Sequence, residues 1–327
     1  MNEIIAFIDK NQQTILNELT EFCKLPSVAA KGEFEIMEKT ADWVVNALEK
    51  SGLETQVHKT KGVPVVTGHL DVGAKKTLIY YNHFDVQPAE PLDLWESPPF
   101  ELTIRNQRMY ARGVADNKGN TLSRIWAVRA YMEKGVDLPT NIKFVVEGEE
   151  EISSPNLPEF VKKNRDFIKA DGGIWEFGGA GADGIQQAWL GLKGILYVQI
   201  EAKKLSRDAH SGYACTLPNS AWKLVWALQS LKDKKERILI DGFYDNIKPL
   251  SSTELEFIKN IDLFPEQVKE QFGINSFIKN LEGMEYKEAY YNAPTCNICG
   301  IVAGWQGAGS KTIIPAESMA KIDFRLV

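Results

Sequence analysis

Histidine is scarce in this chain: His58, His69, His83 and His210 are the only four among 327 residues. Metal chemistry based on imidazole therefore has few places to sit, and carboxylates must supply most of any ligand set. Cysteine is equally rare, with four residues. That is too few for a disulfide framework in a chain of this size, so a reducing compartment, the cytoplasm, is the expected location. No continuous apolar run is long enough to span a bilayer, so no membrane partner is expected. Residues 1–19 interleave Glu3, Asp9, Lys10 and Glu18 with apolar positions, which no secretory leader does. Positive charge is not in excess either. Lys and Arg number 38 against 44 Asp and Glu, a net charge of −6, which argues against a nucleic-acid partner. The longest basic cluster, Lys232 to Arg237, is interrupted by Asp233 and Glu236.

What the chain does have is apolar material, 44% of its residues, enough for a substantial core. Its length suggests about two domains. Ile4, Ile5, Ile8, Ile15, Leu19 and Phe22 recur at helical spacing up to Pro26, and Ile36, Met37, Ala41, Val44, Val45 and Leu48 form a second stripe ending at Gly52. Short apolar strands follow at 63–66, 77–81 and 142–146, with a weaker one at 172–175 and a helix over 118–134 between the second and third. Alternation of this kind predicts an α/β domain with a largely parallel sheet covered on both faces. From about Gly191 the pattern shifts to strands at 194–202, 296–303 and 318–326 around a helix at 219–231, with further helical pieces near 254–260 and 266–271. This predicts a smaller α+β domain, with the boundary placed between 191 and 192.

Three segments carry chemistry. His83 follows an apolar strand in Tyr80-Tyr81-Asn82-His83-Phe84-Asp85, at the carboxyl edge where open sheets bind ligands. Asp85 is spaced to orient its ring. His69-Leu70-Asp71 offers the same H-x-D spacing, but at an expected turn between two strands, so His83 is preferred. Asp116 lies in the Gly-flanked turn Arg112–Gly119 before a helix, where an aspartate is ordinarily a cap. Glu147-Gly148-Glu149-Glu150-Glu151 ends a buried strand with four carboxylates in five residues. They would repel one another strongly without a cation, although a solvated acidic loop is the plain alternative.

In this order, with Glu176 after the fourth strand, these pieces resemble the di-zinc metallopeptidase family of carnosinase, cytosolic non-specific dipeptidase, aminoacylase and succinyl-diaminopimelate desuccinylase. The supporting text is HFDVQP at 83–88, Trp95 with Pro99-Phe100, RGVADNKG at 112–119, EGEEEISS at 147–154, GLKG at 191–194, DAHSG at 208–212, GSKTIIP at 309–315 and FRLV at 324–327. The likeness is greatest to the dipeptidase branch.

The resemblance implies a three-layer zinc-peptidase catalytic domain over 1–191 and a ferredoxin-like dimerisation or lid domain over 192–327. Asp116 would bridge two zinc ions, with manganese or cobalt as substitutes. His83 and Glu176 would complete one site, and Glu151 would ligate the other. Glu150 would be the general base, Asp85 would orient His83, and the Asp116–Asn117 peptide would be cis. His210 would reach the partner subunit's site in a homodimer and stabilise the oxyanion, while Thr312 and Arg325 would hold the carboxylate of a small peptide substrate. The family also carries a further catalytic-domain segment with a histidine for the second metal, so these 327 residues are expected to lack the C-terminal part of that domain. The expected function is metal-dependent hydrolysis of dipeptides. The alternatives are an N-acyl-amino-acid amidohydrolase or short-peptide carboxypeptidase, and a catalytically silent protein that only dimerises or binds peptides. Cys296-x-x-Cys299 reads as two free buried thiols rather than half a metal site, and Trp222 with Trp226 as domain core or dimer interface.

Overall fold

The computed structural model describes residues 1–180 and 184–327. They form two compact units, Met1–Trp189 and Leu190–Val327, so the division falls two residues before the boundary read from the sequence.

The first unit begins with helices α1 (Asn2–Lys10), α2 (Gln12–Cys23) and α3 (Phe34–Glu49). The opening stripe is thus two helices, broken at Asn11, not one. Strands β1 (Glu54–His58), β2 (Val65–Leu70) and β3 (Thr77–His83) follow, then a hairpin of β4 (Thr103–Arg105) and β5 (Arg108–Tyr110). Helix α4 (Lys118–Lys134) leads to β6 (Asn141–Glu147), helices α5 (Leu157–Lys163) and α6 (Arg165–Ile168), and β7 (Gly172–Ile174). A short ladder joins β8 (Gly179–Ala180) to β9 (Gln186–Gln187).

The central sheet has the order β1-β2-β6-β3-β7. It is mixed rather than largely parallel: β3 runs parallel to β6 and β7, while β1–β2 and β2–β6 are antiparallel. The reason is connectivity. Six residues link β1 to β2, which permits a hairpin but no crossover. This pairing also places His69 inside β2, opposite Glu54 and Lys143, and not at a turn.

Layers cover both faces. Met37, Ala41, Val44 and Leu48 of α3, with Ile125 and Val128 of α4, pack on Val66, Phe144 and Val146. On the other face Phe160, Phe167 and Ile168 cover Val65, Tyr81 and Val145. Each fully buried aliphatic or aromatic side chain contributes roughly 1.5–3 kcal/mol, so the sheet's position is firmly set by its two coats. Gly148, just past β6, marks how closely the strand ends approach: a Cβ there would stand 2.4 Å from Phe84 Cζ and 2.5 Å from Val63 Cγ1.

The second unit has a three-stranded antiparallel sheet, β10 (Gly194–Lys203), β14 (Glu317–Leu326) and β12 (Thr295–Ala303) in that order, with α7 (Ser220–Leu231) packed on it. The two-stranded ladder of β11 (Ala209–His210) and β13 (Ile313–Ile314) lies beside it in the chain. Helices α8 (Ser252–Asn260), α9 (Pro265–Phe272) and α10 (Gly283–Asn292) complete the unit. Helix α10 has no counterpart in the sequence reading, because its apolar positions lack a clear helical stripe and none is buried. Trp222 and Trp226 are exposed and stacked at 5.9 Å. Cys296 is buried but Cys299 is exposed, since the two face differently across a strand irregularity between Ile298 and Gly300. Among the described residues no helix is long and apolar enough to cross a membrane.

Candidate metal centre

Parallel pairing sets His83 opposite Glu147 at the carboxyl ends of β3 and β6. The acidic turn after β6 and the loop after β3 therefore leave the sheet side by side. Ser27 fastens the second of these: its Oγ donates to Phe84 O at 2.6 Å, and Val86 N donates to Ser27 O at 2.9 Å.

His83 is fully buried, and its two ring nitrogens face different groups. Nδ1 lies 3.2 Å from Asp85 Oδ1 and 3.1 Å from Asp85 O. Nε2 faces a ring of carboxylates: Asp116 Oδ1 at 2.9 Å, Glu176 Oε2 at 3.4 Å and Glu150 Oε2 at 3.9 Å. Asp85, also fully buried, has a second task. Glu150 N donates to its Oδ1 at 3.2 Å and Glu151 N to its Oδ2 at 3.0 Å. Gln87 Nε2 donates to Glu151 Oε2 at 2.8 Å.

Asp116 reaches this ring from the turn before α4. Its peptide to Asn117 is cis, as the resemblance implies. Gly113 in the same turn has φ +80°, and a Cβ there would meet Val86 Cγ1 at 2.5 Å, so the turn requires glycine on both counts. Lys118, fully buried, donates to Phe22 O at 3.0 Å and Leu25 O at 2.6 Å, tying the start of α4 to the end of α2.

The electrostatics follow from crowding. Burial pulls the His83 pKa down, but its hydrogen bonds with Asp116 and Asp85 more than offset this and push it up to about 11. The bond to His83 holds Asp116 below its usual range. Burial raises Glu150 and Glu151, and carries Glu176 up to about 7.

Two sets of ligand atoms each lie within 4.8 Å of one another, His83 with Glu150 and Glu176, and His83 with Asp116 and Glu151. A divalent cation fits this donor set. Among the described residues Glu176 Oε2 is buried and accepts no hydrogen bond, a state that is costly for a carboxylate oxygen unless a cation takes it up. Oxygen donors with one imidazole suit zinc or manganese. Five residues singled out in the sequence, His83, Asp116, Glu150, Glu151 and Glu176, thus converge, with Asp85 beneath them. His69 stands apart, its ring against Phe167 at 6.3 Å.

The second unit holds the remaining three. His210 on β11 pairs with Ile313, and Ser211 N donates to Thr312 O at 3.1 Å, so His210 and Thr312 are neighbours. Both are exposed. Arg325 is not with them. It lies near the far end of β14, ion-paired to Asp323 at 3.4 Å.

Several groups at the centre were not found in the sequence: Asn82, Asn117, Gln87 and the pair Tyr81–Glu147, whose hydroxyl and carboxylate meet at 2.5 Å. Asn117 carried one usable signal, its place next to Asp116 in a Gly-flanked turn.

Comparison with known proteins gives the family. Residues 79–297 match peptidase family M20/M25/M40. The chain is 31% identical along its whole length to a Cys-Gly metallodipeptidase of Schizosaccharomyces pombe, spanning 72% of that protein. It is 34% identical over 81% of its length to a human Beta-Ala-His dipeptidase, spanning 53% of it. Among solved structures, an M20 family metallo-carboxypeptidase from Sulfolobus solfataricus superposes with a TM-score of 0.90 at 42% identity, over 96% of this chain and 71% of that one. A buried histidine ringed by carboxylates at the sheet's edge, in a chain matched over two thirds of its length, places this chain in the peptidase family M20/M25/M40, among its metal-dependent peptidases.

Proposed function

We propose that this chain carries the metal-binding half of a zinc dipeptidase site, and that the whole protein hydrolyses the amide bond of dipeptides. The observation that carries the reading is the convergence of Asp116, Glu150 and Glu176 on His83 Nε2. The names of the relatives, both dipeptidases, supply the substrate class.

His83, Asp116, Glu151 and Glu176 would hold the metal. A bound divalent ion lowers the pKa of water and polarises the scissile carbonyl. Glu150 then takes the proton from water and returns it to the leaving amine, a task suited to a carboxyl raised by burial. Asp85 keeps His83 in one tautomer and holds the 150–151 turn against it.

His210 would donate to the developing oxyanion. Thr312 and Arg325 would bind the substrate carboxylate, Arg325 through its planar fork. One feature supports a homodimer formed through the second unit. Eight strand steps separate Glu317 from Arg325, roughly 26 Å at ~3.3 Å per residue. His210 and Thr312 lie before the start of β14 and Arg325 near its end, a separation that a second chain would help to close. Four free thiols, two of them exposed, suit the cytoplasm.

Metal content by elemental analysis, run beside a dipeptide hydrolysis assay, tests the reading. Bound zinc with turnover is expected of the active protein. Failure to bind any divalent metal would overturn it. The likeness to a metallo-carboxypeptidase keeps release of the C-terminal residue from short peptides as the second reading. Faster cleavage of tripeptides than of dipeptides would favour it.

A further inference from the structure

Strand β7 ends at Ile174, and its ladder with β3 ends there too, at Tyr80. The next three carbonyls, of Trp175, Glu176 and Phe177, pair with no strand among the described residues. The first turns of α4 and Asn117, the residue capping its start, satisfy all three with side chains. Asn117 Nδ2 donates to Glu176 O at 2.7 Å and Asn120 Nδ2 to the same oxygen at 3.2 Å. Arg124 Nη2 donates to Trp175 O at 2.6 Å and Phe177 O at 3.4 Å, while its Nη1 reaches Tyr81 O at 3.3 Å. The spacing of 117, 120 and 124 places the three on one helix face.

The grip is on the backbone on either side of Glu176, whereas among the described residues its Oε2 accepts no hydrogen bond and faces His83 Nε2 at the longer distance of 3.4 Å. Its carboxylate is therefore aimed by its main chain. Asn117 extends the same hold to the other ligand segments: its Oδ1 accepts from Asn82 Nδ2 at 2.5 Å, beside His83, and its own peptide joins Asp116. Arg124 makes the largest share of these bonds and, among the described residues, forms no ion pair with a ligand carboxylate, its charge reaching Glu176 at longer range.

We propose that Arg124, with Asn117 and Asn120, is a positioning clamp that fixes where Glu176 presents its carboxylate to the metal. The proposal rests on Glu176 being a ligand, as in the function proposed above.

A thermodynamic cycle tests it by calorimetric titration of zinc into the metal-free chain. Arg124→Met should weaken zinc binding about tenfold to a hundredfold. In a Glu176→Ala background the same substitution should change affinity less than about twofold, because the group it acts through is gone. Arg129, on the same helix, serves as a structural control. It is buried and bonds Glu18 Oε1 at 2.8 Å and Ser51 Oγ at 3.0 Å. Arg129→Met should lower the melting temperature and leave zinc affinity within about twofold. Should Arg124→Met not fold, Arg124→Lys, which replaces the fork with one donor group, is read in the same cycle. Equal losses in both backgrounds, or no loss in the parent, would overturn the clamp alone, provided Glu176→Ala itself weakens binding. If Glu176→Ala leaves affinity unchanged, the ligand assignment falls and the clamp with it.

Discussion

Asp85 and His83 are joined twice: the Asp85 carboxylate lies 3.2 Å from His83 Nδ1, and the Asp85 carbonyl lies 3.1 Å from the same nitrogen. The same carboxylate receives the backbone N–H groups of Glu150 and Glu151. One buried anion thus sets the tautomer of the histidine and the approach of the acidic turn. In Asp85→Asn the amide must turn an NH₂ toward either the ring N–H or a backbone N–H, setting donor against donor. Zinc affinity should fall about tenfold to a hundredfold, measured by calorimetry. Affinity within about twofold of the parent would show that Asp85 is dispensable.

Metal uptake should release protons in a pH-dependent number. In the metal-free chain burial depresses His83, but Asp116 and Asp85 push it up to about 11, and burial brings Glu176 up to about 7. Both folded values are raised, so both groups hold protons that ligation must remove. At about pH 6 close to two protons should leave per metal, and at about pH 8 close to one. Affinity therefore rises with pH, more steeply below about pH 7 than above it. Titrations in buffers of different ionisation heat count the protons. A constant number across this range would contradict the arrangement.

Glu150→Ala should reduce kcat about a hundredfold to ten-thousandfold in the active protein. Metal content should stay the same, since His83, Asp116, Glu151 and Glu176 remain. Metal lost in step with activity would make Glu150 a ligand, the role that its place with His83 and Glu176 also allows.

Lys118→Met should destabilise the metal-free chain by about 2–4 kcal/mol, because the carbonyls of Phe22 and Leu25 lose their donor inside the core. Burial brings the Lys118 pKa down to about 7, so the ammonium is itself costly and the loss is less than that of a fully charged buried group. Denaturant melts of the two proteins measure the difference. Superimposed curves would mean that the bonds contribute nothing net.

The centre was legible in part from local signals and in part from the resemblance. His83 ends an apolar strand and Glu150 and Glu151 lie in the turn just after another, while Asp116 and Glu176 stood out through the resemblance. The helix at 118–134 and the strands around it were equally plain from apolar spacing. Pairing direction was not, since nothing in the residues of β2 tells whether β6 will lie parallel or antiparallel to it. Arg124 and Lys118 were also hidden. In sequence each is a polar residue on a helix, and only the fold reveals that one faces bare carbonyls and the other a helix end.

Gly148 has a wider bearing. With the Phe84 ring and the Val63 side chain standing where its Cβ would be, position 148 can carry no side chain without displacing that ring. The approach of the histidine loop to the acidic turn is therefore set by how the Phe84 ring seats against bare backbone. Retuning this centre for a larger or smaller ion would begin at that contact, by reshaping residue 84, and leave every ligand as it stands.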